Sequence, residues 1–128
     1  MKQNRYFQIT VIGDSSASLE LCELAEATGK LLAEMGIVVI TGGRGGIMEA
    51  VSKGVADIGG LSIGIIPSDK LEDANSYCSV VIPTGIGYSR NFLTVLSCDL
   101  VIAIGGRAGT LSEIIYGWVF NKPLLALK

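Results

Sequence analysis

Histidine does not occur in the 128 residues, and the three cysteines, Cys22, Cys78 and Cys98, are scattered with no C-x-x-C pair. The first absence removes Ser-His and Cys-His nucleophile pairs and histidine-ligated metals, so acid–base chemistry falls mainly to carboxylates. The second argues against a disulfide framework or a thiolate metal site and leaves buried, reduced thiols as the expectation. Long apolar runs are missing too. Hydrophobic residues make up 49% of the chain and the mean hydropathy is +0.53, yet no run approaches the roughly 18 residues of a membrane-spanning helix. Positive charge is scarce: 10 Lys and Arg against 12 Asp and Glu give a formal charge of −2, with no general pull on nucleic acid. The opening MKQNRY runs straight into a strand-like segment and lacks the apolar core and cleavage site of a signal peptide. These absences predict a cytoplasmic chain with neither a membrane nor a nucleic-acid partner.

What is present is an alternation of short apolar runs with helical periodicity. Strands are expected over 7–12, 37–41, 61–66, 80–82, 100–104 and 123–127, and helices over 19–35, from 47 to about 58, over 89–96 and from about 110 to 120. Apolar runs such as 37–40 and 100–104 suit strands buried on both faces. The polar stretch 67–79 is the longest connection and the expected mobile flap. The pattern implies an α/β fold of one domain over 1–128, a doubly wound, Rossmann-like parallel sheet with right-handed crossovers.

Two strands end in glycine-rich turns, Gly42-Gly43-Arg44-Gly45-Gly46 and Gly105-Gly106-Arg107-Ala108-Gly109, each leading into a helix. In an open parallel sheet ligands bind at the carboxyl ends of the strands, where a helix N-terminus presents unpaired N–H groups to an anion. Of the four arginines, Arg44, Arg90 and Arg107 sit in or beside such turns, and a guanidinium suits phosphate. Gly13 and Ser15, after the first strand, complete the candidate binding set with Gly42, Gly43, Arg44, Gly45, Gly46, Arg90, Asn91, Gly105, Gly106, Arg107, Gly109 and Thr110. Plainer roles compete at several positions. The glycines could serve tight turns alone, and Thr110-Leu111-Ser112-Glu113 matches a capping box in which Glu113 would bond the Thr110 backbone rather than face a ligand. Asp14 is expected to cap the first helix, and Trp118, with Ile114, Ile115 and Val119, to pack inward; Tyr88 could stack on a base. The familiar nucleotide signatures fail: Gly13-Asp14-Ser15-Ser16-Ala17-Ser18 is not G-x-G-x-x-G, the second strand ends in Thr41 rather than an acid, and no G-x-x-x-x-G-K-[ST] occurs.

The stretches TGGRGGIMEAVSKGVADIGG and IGYSRNFLTVLSCDLVIAIGGRAGTLSEI resemble the molybdenum cofactor carrier proteins and their bacterial and archaeal relatives. That family is part of a larger group with the LONELY GUY phosphoribohydrolases, whose hallmark is P-G-G-x-G-T-x-x-E with an upstream Arg-Lys pair. Against that hallmark, Gly109, Thr110 and Glu113 match, Gly105 stands in place of proline, Arg107 in place of a glycine, and Asn91 in place of the lysine after Arg90. The Arg-Asn pair resembles the carrier branch. The resemblance implies a binding protein for a phosphate-bearing small molecule, a molybdopterin-type cofactor or a nucleotide. Its alternative is a nucleoside 5′-monophosphate phosphoribohydrolase with Arg90 and Glu113 acting at the ribose; a nucleotide sensor is a third. It also implies a homodimer or homotetramer, an expectation shared by the apolar composition, and, since family chains usually continue past the last strand, a chain that at Lys128 stops short of their terminal helices.

Overall fold

The computed structural model describes residues 4–106 and 108–128. Six strands, β1 (Gln8–Ile12), β2 (Val38–Thr41), β3 (Ser62–Ile66), β4 (Val80–Pro83), β5 (Leu100–Ile104) and β6 (Leu124–Leu127), form one sheet in the order β4-β3-β2-β1-β5-β6, with every neighbouring pair parallel. The helices are α1 (Leu19–Glu34), α2 (Ile47–Asp57), α3 (Asn91–Leu96) and α4 (Ala108–Val119). This is the doubly wound α/β fold that the alternation implies. The crossover between β3 and β4 departs from the pattern, because it holds only a 3-10 turn, Leu71–Asp73. The chain winds from β1 outward to β4, then returns to place β5 on the other side of β1. That reversal opens a crevice between the carboxyl ends of β1 and β5.

The strand pleat sorts side chains into two cores. Ile9 and Val11 of β1 with Ile102 and Ile104 of β5 pack against Ala25 and Leu32 of α1 and Val51 and Val55 of α2. Ile12, Val101 and Ala103 face the opposite way, onto Val95, Cys98, Ile114, Tyr116 and Phe120 beneath α3 and α4. Trp118 corrects the packing expectation: it is 82% exposed, and Ile115 and Val119 are exposed with it, so only Ile114 of that quartet turns inward. The thiols correct it in part, since Cys98 is buried while Cys22 and Cys78 are half-buried.

α1 and α2 touch backbone to backbone. A Cβ on Gly29 would sit on the Val51 carbonyl oxygen, and one on Gly54 would sit on the Glu26 carbonyl oxygen. Exposed ion pairs flank the crossing, Lys53 to Glu26 at 3.5 Å and Lys30 to Asp57 at 3.8 Å, and such pairs add little. In an uncrowded helix, alanine is about 1 kcal/mol better than glycine. Here the methyl meets a carbonyl that no rotamer change can move, so overpacking, worth about 1–3 kcal/mol, outweighs propensity. Gly54→Ala is therefore expected to lower stability in urea unfolding, by about 1 kcal/mol or more; a stabilised variant would show that the helices do not meet as closely as described.

Candidate functional site

Three strand ends and one short helix converge at the carboxyl edge of the sheet. The turn after β2 begins with the Thr41 hydroxyl accepting from Gly43 N–H at 2.9 Å. It ends at Gly46, whose φ of +62° is open to glycine at little cost and whose Cα lies against the Asp14 and Ser15 backbone. Ile47 N–H, the first of α2, donates to the Asp14 carbonyl at 3.0 Å. The turns after β1 and β2 are thus one packed unit. Among the described residues, the backbone N–H groups of Arg44, Gly45 and Gly46 donate to no protein acceptor. They are three successive donors at the positive end of α2, which is what an anion requires.

A cleft of about 300 Å³ opens beside them at the β1/β5 reversal, lined by Asp14, Ser16, Ser18, Leu21, Ile47, Ile104 and Gly106 among others. The expectation that Asp14 caps α1 is not met: Ser18 is the cap, accepting from Leu21 N–H at 3.2 Å. Ser15 is exposed and stands outside the cleft lining. Arg107 lies outside the described residues, and Gly109 and Thr110 are placed only as part of the first turn of α4.

Arg90 closes a 3-10 turn, Gly87–Arg90, that runs directly into α3. It is only 6% exposed. Its guanidinium lies on Gly42, where a Cβ would come within 2.7 Å of Nη2. Its one hydrogen bond among the described residues is a long one, Nη2 to the Gly42 carbonyl at 3.5 Å, and Nε has no partner there. Among the described residues it makes no ion pair. Burial pulls its pKa down; Glu113 opposes that shift and Arg44 adds to it. The neighbouring Asn91 donates through Nδ2 to the Ser112 hydroxyl at 3.2 Å and leaves its buried Oδ1 unpaired. Buried polar atoms without partners are uncommon in folded proteins, and two of them here belong to the adjacent pair Arg90-Asn91.

Glu113 overturns the capping-box alternative. α4 starts at Ala108 rather than after Thr110, and the Glu113 carboxylate reaches across to α3, where it accepts from the Thr94 hydroxyl at 2.6 Å. The same hydroxyl lies 2.9 Å from the Asn91 carbonyl, so it can donate there and accept from a protonated Glu113 instead. Thr94 is the site residue that sequence reasoning missed; four residues after Arg90, it shares a helical face with it. Burial of Glu113, 7% exposed, pushes its pKa up to about 7, against the opposing effects of the Thr94 hydrogen bond and Arg90.

This shift has a stability signature. The folded carboxyl holds its proton from the ordinary 4.5 up to about 7 while the unfolded one releases it, so stability is full below pH 4.5 and is lost as pH rises through 7. The loss amounts to at most about 3 kcal/mol. Asp99 does not blur it: Arg5, bonded to it at 2.7 Å, holds its pKa at about 2, so it is ionised throughout this window. Urea unfolding at pH 5, 6.5 and 8 is expected to show declining stability in the native chain and a flatter profile in Glu113→Gln. Equal slopes in the two proteins would sink the assignment.

The chain is similar over its length to proteins of known structure. It is 38% identical to the molybdenum cofactor binding protein of the phototrophic bacterium Rippkaea orientalis, with a TM-score of 0.94 over 97% of this chain and 77% of that one. It is 29% identical to the Moco carrier protein of Chlamydomonas reinhardtii, with a TM-score of 0.87 over 96% of this chain and 76% of that one. An uncharacterised protein of Archaeoglobus fulgidus is 40% identical, covering 97% of this chain and 82% of its own length. The profile of the SLOG cluster4 family matches residues 6–128, and the chain belongs to that family.

Proposed function

We propose that the protein binds a phosphate-bearing small molecule, a molybdopterin-type cofactor or a nucleotide, across its glycine-rich turns, with Gly43, Gly45, Gly46, Gly106, Gly109 and Thr110 around the phosphate and Arg90 neutralising it. The observation that carries this is the buried Arg90 guanidinium, which among the described residues has no ion pair and no partner for Nε, resting on the turn whose three N–H donors meet no acceptor among those residues. An anion supplies what both features lack. The names of the Rippkaea and Chlamydomonas relatives support a binding role and favour the molybdopterin-type ligand.

One observation favours a second reading, cleavage of the N-glycosidic bond of a nucleoside 5′-monophosphate. Glu113 sits near Arg90 with its pKa at about 7, where a general acid or base works best. The two readings separate in one set of measurements. Calorimetry is expected to detect binding of inorganic phosphate or a nucleoside monophosphate, and Arg90→Ala to weaken it roughly thirtyfold, since a charge-assisted contact contributes about 2 kcal/mol. Native mass spectrometry of freshly purified protein would reveal a retained pterin. Incubation with adenosine monophosphate is expected to release no adenine. Turnover abolished by Glu113→Gln would favour the hydrolase, and absence of any binding at millimolar concentration would refute both readings.

A second copy of the chain is proposed to cover the outer face of α4. Leu111, Ile115, Trp118 and Val119 are all more than half exposed and follow the i, i+4, i+7, i+8 spacing of one helical stripe. Contiguous apolar surface of this kind marks interaction sites. Light scattering is expected to give a dimer or tetramer, and the double change Ile115→Lys with Trp118→Lys to give a monomer. A monomeric native chain would end this proposal.

A further inference from the structure

The carbonyl side of the turn after β2 is held from outside that turn. Asn75, in the connection between β3 and β4, donates its backbone N–H to the Gly43 carbonyl at 2.9 Å. Its side-chain Nδ2 donates to the Arg44 carbonyl, also at 2.9 Å. Oδ1 faces the other way and accepts from Tyr77 N–H at 3.0 Å, which fixes the orientation of the amide, nitrogen toward carbonyl and oxygen toward N–H. The stretch expected to be a mobile flap is therefore bonded to the glycine turn at this residue.

A trans peptide unit is planar, and its C=O and N–H point in opposite directions. With the carbonyls of Gly43 and Arg44 directed at Asn75, the N–H groups of Arg44 and Gly45 are directed away from it. These are two of the three donors that no acceptor among the described residues satisfies. Next to them lies the buried Arg90 guanidinium on Gly42, with Nε unpaired, an independent sign that an anion belongs there. A glycine-rich turn left to itself can flip its peptide planes, because glycine accepts either sign of φ. Each flip would turn a carbonyl oxygen toward the place where a donor is needed.

We propose that Asn75 is a positioning residue for anion binding, holding the peptide planes of residues 43–45 so that the Arg44 and Gly45 N–H groups face the phosphate that Arg90 neutralises. The role rests on the anion-binding function proposed above and adds to it a residue that does not itself touch the ligand.

The test uses the full chain, labelled with ¹⁵N and titrated with inorganic phosphate. Asn75→Ala removes the side-chain bonds; Asn75→Ser keeps a hydroxyl able to accept from Tyr77 N–H but too short to reach the Arg44 carbonyl. Without phosphate, both variants are expected to shift the Arg44 and Gly45 amide signals while those of β1 and β5 stay in place. With phosphate, affinity is expected to fall about tenfold, the effect of misplacing one or two hydrogen bonds, and the response of those two amides to shrink. The Ser variant is expected to melt near the native temperature, which keeps the test open if the Ala variant unfolds. Native affinity with an unchanged Arg44 and Gly45 response in either folded variant would overturn the role, as would a lower melting temperature with native affinity. If the native chain shows no phosphate-dependent shift, the anion-binding function itself fails and this role with it. The shifts of the unliganded variants distinguish that failure from an error in the turn geometry.

Discussion

A guanidinium almost fully withdrawn from water, with one long hydrogen bond and no ion pair among the described residues, is costly to hold in a fold. Arg90 is held that way by neighbours that leave it little alternative. The short helix α3 continues directly from its 3-10 turn, Gly42 offers a floor with no side chain, and the nearest buried acid, Glu113, is engaged by Thr94. With the Glu113 pKa at about 7, much of its charge is absent at neutral pH, and the positive charge of Arg90 is then left without a formal counterpart. That imbalance is what the proposed anion would relieve. It also explains why removing Arg90 need not strand a buried negative charge, since the acid can keep its proton.

The backbone that surrounds this charge depends on the order of the sheet. Because every strand runs parallel, the turns after β1, β2 and β5 lie at one edge, the reversal at β1 sets them side by side, and the first two interlock through the Asp14 carbonyl and Gly46. The contact of α1 with α2 at Gly29 and Gly54 sets how closely those helices lie over β1 and β2. A wider crossing would lift the start of α2, and the N–H donors at that end would move with it. Glycine thus does two jobs in this chain, one in the scaffold, where a side chain would collide, and one at the candidate site, where the proposed ligand would meet the backbone itself.

The fold was legible because buried parallel strands read as plain apolar runs: 37–41 and 100–104 are nearly all apolar, and each ends at glycine. The glycine turns, Arg90 and Glu113 were legible from residue type and spacing, and from their resemblance to the carrier family. Three features were not. Trp118 looked like core because periodicity marks an apolar stripe without telling which side of the helix meets the sheet, and α4 carries apolar residues on both. Thr94 is an ordinary residue in an ordinary helix, and its contact with Glu113 joins positions 19 apart on different elements. Asn75 sits in a polar connection of the kind usually taken as loose, and its bonds to the Gly43 and Arg44 carbonyls cross 31 or more residues. Local pattern reports on neighbours in sequence; these contacts are set by the way β3, β4 and the turn after β2 come together.

The Arg90–Glu113 neighbourhood suits both binding and glycosidic cleavage, and what distinguishes them is where the carboxyl oxygens point. An acid that stabilises an oxocarbenium-like state or positions water must present an oxygen to the reacting atoms. Glu113 is 7% exposed, and Oε2 is bonded to a hydroxyl of α3. With Oε2 tied to α3, only Oε1 is left to act at a sugar, and its direction is set by that bond rather than by the ligand. An acid kept in place by Thr94 also modulates the charge around Arg90. Asn91, at the position where the hydrolases carry lysine, leads the same way: it adds a neutral amide with an unpaired Oδ1 where a second cation would otherwise stand. One buried cation, an acid tied by one oxygen to α3 and a row of backbone donors are the features on which the proposed retention of a phosphate-bearing ligand, rather than its cleavage, rests.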